Sequence, residues 1–150
     1  MRDPHPHEGR VIVRPTNAGL FQQLVSAGEH ELVVDEPADI GGRDGGPTPY
    51  DLILAALGSC TSMTLRQYAE RKGIPLDDLQ VSLSHDRIHA KDCADCESDK
   101  AMIDEITTRI ALKGPLSEEQ RQRLLEIAEM CPVHRTLSGE IRIRTSLVPA

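Results

Sequence analysis

Residues 46–60 read GPTPYDLILAALGSC, and the order of residue types in this stretch decides how the chain folds around it. Thr48 can N-cap a helix, Pro49 suits its first position, and Asp51 adds favourable negative charge to the first turn. Upstream, Gly41 to Pro49 (GGRDGGPTP) holds four glycines and two prolines in nine residues. That composition rules out regular structure and marks a loop feeding the helix. Downstream, Gly73 and Pro75 close it. Leu52 to Cys60 is apolar or small on every face, as expected of a helix buried all round, while Arg66 to Lys72 (RQYAERK) is polar. Cys60 therefore lies deep in a long helix.

Working outward, Arg10 to Arg14 (RVIVR) is β-branched and runs into turn chemistry at Pro15 to Gly19 before Phe21 to Val25, which predicts a hairpin. A third strand, His30 to Asp35, follows the Ala27-Gly28 turn. Leu79, Val81 and Leu83 alternate with polar residues, as do Ile106, Thr108, Ile110 and Leu112, giving two more strands with one buried face each. Leu116 to Pro132 reads as a second helix, with Ser117 and Gln120 in a capping-box arrangement and Pro132 as its stop. Leu124, Ala128 and Cys131 share its apolar face, which puts Cys131 at its C-terminus. Glu140 to Val148 alternates again and predicts a last strand. Strands and helices in mixed order without a βαβ rhythm indicate an α+β fold, with residues 1–9 a loose tail and 10–150 a single domain.

At 150 residues the chain can bury a core without staples. Its 17 Lys+Arg against 24 Asp+Glu give a formal charge of −7, which repels nucleic acid. No Trp, one Phe and two Tyr leave little for stacking on bases or sugars. Met1 to Glu8 lacks the apolar run of a signal peptide, and no stretch is long enough for a membrane helix. The expected location is the cytoplasm, with no membrane partner. Thiols stay reduced there, so four cysteines point to catalysis, redox sensing or metal binding before structural bridges.

A thiol at its reference pKa of about 8.5 is only ~3% thiolate at pH 7. A nucleophilic cysteine therefore needs a stabilised anion. Cys60 is flanked by Gly58, Ser59, Thr61 and Ser62, a small-residue surface that lets another group approach the sulfur. At mid-helix the dipole gives it little help, so a nearby cation, Arg by preference, is expected to activate it. At a helix C-terminus the dipole disfavours an anion on Cys131, which makes that residue a poor first nucleophile but suits it to attack an oxidised partner. Cys60 is thus the expected attacker and Cys131 the resolver. The plain alternative is two ordinary core cysteines, since free Cys packs as a small hydrophobe. His134, close behind Cys131, is a candidate acid or base whose default reading is a surface histidine.

Cys93-Ala94-Asp95-Cys96 is a CxxC preceded by His85 and His89, so the spacing H-x3-H-x3-C-x2-C could supply four zinc ligands. Against it, Arg87 stands between the two histidines on one strand face and repels a cation. A secondary redox pair or a plain loop is the stronger reading, and no metal or cofactor is expected.

The stretch GPTPYDLILAALGSC, taken with Cys131-Pro132-Val133 (CPV) 71 residues after Cys60, resembles the OsmC/Ohr superfamily of osmotically inducible and organic-hydroperoxide-resistance proteins. The likeness runs from about Leu32 to Leu147; the PYD helix start and the HDRIHAKDCADC insert are closer to a less characterised OsmC-like branch. The resemblance implies a mostly antiparallel sheet packed with a long buried helix and a second helix, in an intertwined homodimer with active sites at the interface. It also implies a thiol peroxidase that reduces organic hydroperoxides. In that family the first cysteine attacks the peroxide and becomes a sulfenic acid. The second condenses with it to a disulfide, which an external thiol reduces: a lipoyl protein, thioredoxin or a small thiol. The family pairs the attacking thiolate with an Arg of the N-terminal hairpin, which corresponds here to Arg14, with Arg43, Arg66 and Arg135 as alternatives. A Glu follows the helix-starting Pro in the family; here that position is Tyr50, and Asp51 beside it is the candidate replacement. The departure leaves open a second function on the same fold, a small-molecule or metal/redox-sensing binding protein with little peroxidase activity.

Overall fold

The structure is a computed structural model that describes residues 11–93, 96 and 101–149. It is α+β, with five strands in two antiparallel sheets and three α-helices among the described residues. The expected loose tail at 1–9 lies outside them. Two compact units divide within the first helix, between Ile53 and Leu54.

In the first unit, β1 (Val11–Pro15), β2 (Gln23–Ala27) and β3 (His30–Val34) form a meander, with Val13 opposite Val25 and Val25 opposite Leu32. The predicted hairpin and third strand are present, with β2 two residues later than expected. The glycine-rich loop after β3 is organised by Asp35, which is 1% exposed. Its carboxylate accepts from the Glu36 N–H at 2.8 Å, the Gly45 N–H at 3.1 Å and the Gln22 amide at 3.4 Å. Its own N–H donates to the Pro47 carbonyl at 3.1 Å. A buried carboxylate persists because backbone donors replace its water.

Helix α1 (Pro49–Lys72) starts where predicted. The Thr48 hydroxyl accepts from the Asp51 N–H at 3.1 Å, and the Asp51 carboxylate accepts from the Thr48 N–H at 2.9 Å, a reciprocal cap that satisfies two otherwise orphan donors. Gly73, at φ 65°, takes the left-handed conformation that ends it.

In the second unit, β4 (Asp78–His89) and β5 (Met102–Lys113) pair over twelve residues each, from Asp78↔Lys113 to His89↔Met102, well beyond the short alternating cores read from sequence. Helix α2 (Glu118–Ala128) begins with the predicted capping box: the Gln120 N–H to the Ser117 hydroxyl at 3.1 Å and the Ser117 N–H to the Gln120 side chain at 2.9 Å. Leu65 and Ala69 of α1 pack against Leu124, Ile127 and Ala128 of α2, and Leu79, Ile110 and Leu112 of the hairpin close over them.

Three expectations are corrected. The second helix does not run to Pro132; it ends at Ala128, and a separate helix α3 (Pro132–Ser138) follows. The predicted strand Glu140–Val148 is not formed, and Ile143, Leu147 and Val148 are 83%, 100% and 82% exposed. Its alternation is genuine, but a strand needs a neighbour, and this segment pairs with no strand among the described residues. Leu52 to Cys60 is not buried all round within one chain: Leu57 and Gly58 are buried, while Ile53 is 41% exposed.

Candidate active site

Cys131 and Pro132 set the local geometry. Pro132 lacks an N–H and forces the residue before it away from the helical region, so Cys131 is extended at φ −62°, ψ 139°. That breaks the chain direction after α2 and places Pro132 at the first position of α3, where its fixed φ is favourable. Cys131 becomes the N-cap of α3. Its carbonyl accepts the Arg135 N–H at 3.1 Å and its sulfur accepts the His134 N–H at 3.2 Å, the place usually held by a Ser, Thr or Asp oxygen. The expected position at a helix C-terminus is thereby reversed. The dipole at Cys131 favours an anion.

The sulfur of Cys131 is fully buried. Burial alone pushes its thiol up, yet hydrogen bonds from the His134 N–H, the Cys60 thiol, the Thr61 hydroxyl and the Val133 N–H outweigh burial, and the net direction is down. The Thr61 hydroxyl reaches the sulfur at 3.7 Å but also the Leu57 carbonyl at 2.8 Å. With one hydrogen to give, it is the weaker contributor, and the His134 N–H the stronger. His134 acts here through its backbone; the sequence pointed to its ring.

Cys60, seven residues after the last residue of the first unit, lies one position before Thr61 on α1. It is half-buried and free, and its thiol is among the groups that bring the Cys131 thiol down. Cys60 lines an open cavity of about 580 Å³ together with Ala56, Ser59, Met63, Pro132 and Val133 among others. Small residues leave that cavity open, as expected of Ser59, but Gly58 serves a different neighbour: it is buried against the Leu83 side chain of β4. The site thus has one partly exposed cysteine, Cys60, and one fully buried cysteine, Cys131, whose sulfur accepts the His134 N–H.

Arg14 lies on β1 opposite Leu24, and Asp51 caps α1 through the Thr48 N–H. Both belong to the first unit, Cys60 and Cys131 to the second. Tyr50, at the family's Glu position, is 57% exposed. The CxxC is a disulfide, Cys93–Cys96, so its sulfurs are not thiolate ligands, and His85 is bound to Asp104 at 2.9 Å. Among the described residues no cluster of His, Cys, Asp or Glu is arranged to hold a metal. No helix among them is long and apolar enough to cross a membrane.

An α+β fold with a half-buried cysteine on a long helix and a buried cysteine capping a later short helix defines the class of protein. The family description "OsmC-like protein" matches residues 42–146, and the chain belongs to that family. Its fold is similar to that of an OsmC-like protein from Mycoplasma pneumoniae (17% identity, 88% of this chain and 89% of that one, TM-score 0.64). It is similar also to an organic hydroperoxide resistance protein from Legionella pneumophila (19%, 86% and 89%, 0.61) and to the organic hydroperoxide resistance protein OhrB of Bacillus subtilis (21%, 86% and 89%, 0.59). Curated protein sequences gave no match.

Proposed function

We propose that the protein is a thiol-dependent reductase of apolar organic hydroperoxides, with Cys60 as attacker and Cys131 as resolver. The observation that carries this reading is the half-buried Cys60 on an open cavity, together with a buried Cys131 whose sulfur accepts the His134 N–H and whose thiol is lowered. Family membership and neighbours described as organic hydroperoxide resistance proteins support it.

The Cys60 sulfur attacks as the thiolate, the nucleophilic form of a cysteine. As it bonds to the distal peroxide oxygen, the O–O bond breaks, and the leaving alkoxide takes the proton of the Cys131 thiol and departs as the alcohol. Cys60 is left as sulfenic acid facing a Cys131 thiolate, the form that the hydrogen bonds to the Cys131 sulfur favour. That thiolate attacks the sulfenic sulfur, hydroxide leaves as water after protonation, and a Cys60–Cys131 disulfide forms. An external dithiol returns two electrons and two protons. Arg14 is the proposed guanidinium that lowers the barrier at Cys60, and Asp51 the carboxylate that orients it.

The working form is proposed to be a homodimer. Val11, Ile12 and Val13 are about half exposed, and Ile143, Leu147 and Val148 more so, so one chain leaves apolar strand-forming segments in water. Turnover of cumene hydroperoxide with a dithiol is the test. Cys60→Ser abolishes it, Arg14→Ala lowers it, and Asp51→Asn, which keeps an acceptor for the Thr48 N–H but removes the charge, separates orientation from capping.

A further inference from the structure

The second cysteine pair is not used by this chemistry. Cys93 and Cys96 are joined with their Cα atoms 5.5 Å apart, within the ordinary disulfide range. Both fall in the connection beyond the last strand pair, His89↔Met102. The bridge therefore ties neither strand to the other, and β4 and β5 are already aligned by twelve residue pairs and by the Ala90 N–H to Ala101 carbonyl bond at 3.1 Å. Closing a four-residue loop also contributes little to chain entropy, since the effect grows with loop length. Cys96 is exposed and Cys93 partly so, which gives an attacking thiolate access.

The pair is also remote from Cys60. Gly58 packs on Leu83, and the six residues from Leu83 to His89 span ~20 Å of strand, so the two pairs in one chain do not exchange directly. We infer that Cys93–Cys96 is a second, independent thiol–disulfide exchange site at the tip of the β4–β5 hairpin, whose reaction partner is an external dithiol. A thiolate of that dithiol attacks one sulfur, forming a mixed disulfide and releasing the other cysteine as a thiol. The partner's second thiol then displaces the remaining cysteine and leaves as a cyclic disulfide, so two electrons and two protons pass to the chain. A monothiol is disfavoured because the released cysteine, three residues away, reverses its mixed disulfide. Residues 91–100 (KDCADCESDK) carry four acidic against two basic side chains, which further disfavours an anionic monothiol such as glutathione.

This inference stands without the peroxide reading, and its test removes that site. A Cys60→Ser/Cys131→Ser chain is equilibrated with reduced and oxidised dithiothreitol, trapped by alkylation and weighed. Wild type is treated alongside and peptide-mapped, so that the result survives poor folding of the double variant. The expected result is a reversible gain of two labels together at Cys93 and Cys96, with circular dichroism unchanged, and a pair left mostly closed by glutathione at equal thiol concentration. A bridge that opens only in denaturant, cysteines that stay free in oxidised dithiothreitol, or equal opening by glutathione would each overturn it.

Discussion

The surroundings of the Cys131 sulfur are where a single residue matters most. A thiolate bias at Cys131 supplied mainly by a backbone N–H survives most side-chain changes nearby. In Cys60→Ser, ultraviolet thiolate absorbance is expected to titrate still below the ordinary thiol value of about 8.5, whereas Cys131→Ser should lose that component. Thr61→Val removes the weaker donor and moves the titration upward. Because the folded thiol is lowered, Cys131 adds stability at pH above the unfolded value, and that contribution fades as pH falls through the folded one. Asp35 obeys the same sign: burial raises its carboxyl, but the N–H groups of Glu36, Gly45 and Arg43 and the Gln22 amide bring it below the usual carboxylate value. Its support for the loop is full above that usual value and fades as pH falls through the folded one. Asp35→Asn should lower the melting temperature at neutral pH and flatten the acid limb of the stability profile. Neither effect is legible in the sequence, since no residue type marks Asp35 as buried or His134 as a backbone donor.

At the scale of elements, what could be read was local chemistry. Thr48, Pro49 and Asp51 announce the start of α1, Gly73 its end, and Ser117 with Gln120 the start of α2, because caps are satisfied within four residues. Thr48→Ala is expected to cost about 1 kcal/mol in a denaturant melt. Pro132 was the ambiguous sign: the same residue that starts α1 at Pro49 reads as a stop at Pro132, and only the helix beyond it distinguishes the two. The order Cys-Pro with a helical run behind it is the signal that marks Cys131 as a cap. Close approaches likewise depend on partners distant in sequence. A Cβ at Gly46 would collide with the Val33 backbone carbonyl, whereas one at Gly58 would meet only the end of the Leu83 side chain, at 2.6 Å from Cδ1. Gly46→Ala should therefore destabilise by about 2 kcal/mol or more, and Gly58→Ala by clearly less, as Leu83 can turn aside.

For the whole molecule, the alternating pattern Ile141, Ile143, Thr145, Leu147 forms no strand and leaves its apolar side chains exposed, and the apolar face of α1 is wider than one chain covers. The expected strand and the expected all-round burial each need a receiving surface, and in one chain neither has it. In the dimer reading, sedimentation gives twice the chain mass, and Ile143→Asp shifts the protein toward monomer without unfolding the Leu65–Leu124 core; a wild-type monomer would contradict it. The central claim is that Cys60 attacks and Cys131 resolves, and its most direct measurement is to mix reduced protein with equimolar cumene hydroperoxide and map the products by mass spectrometry, with Cys60→Ser and Cys131→Ser alongside. The account predicts a rapid Cys60–Cys131 disulfide in wild type and sulfenic acid held on Cys60 in Cys131→Ser; consumption no faster than by a free thiol, or sulfenic acid appearing on Cys131 instead, would contradict it.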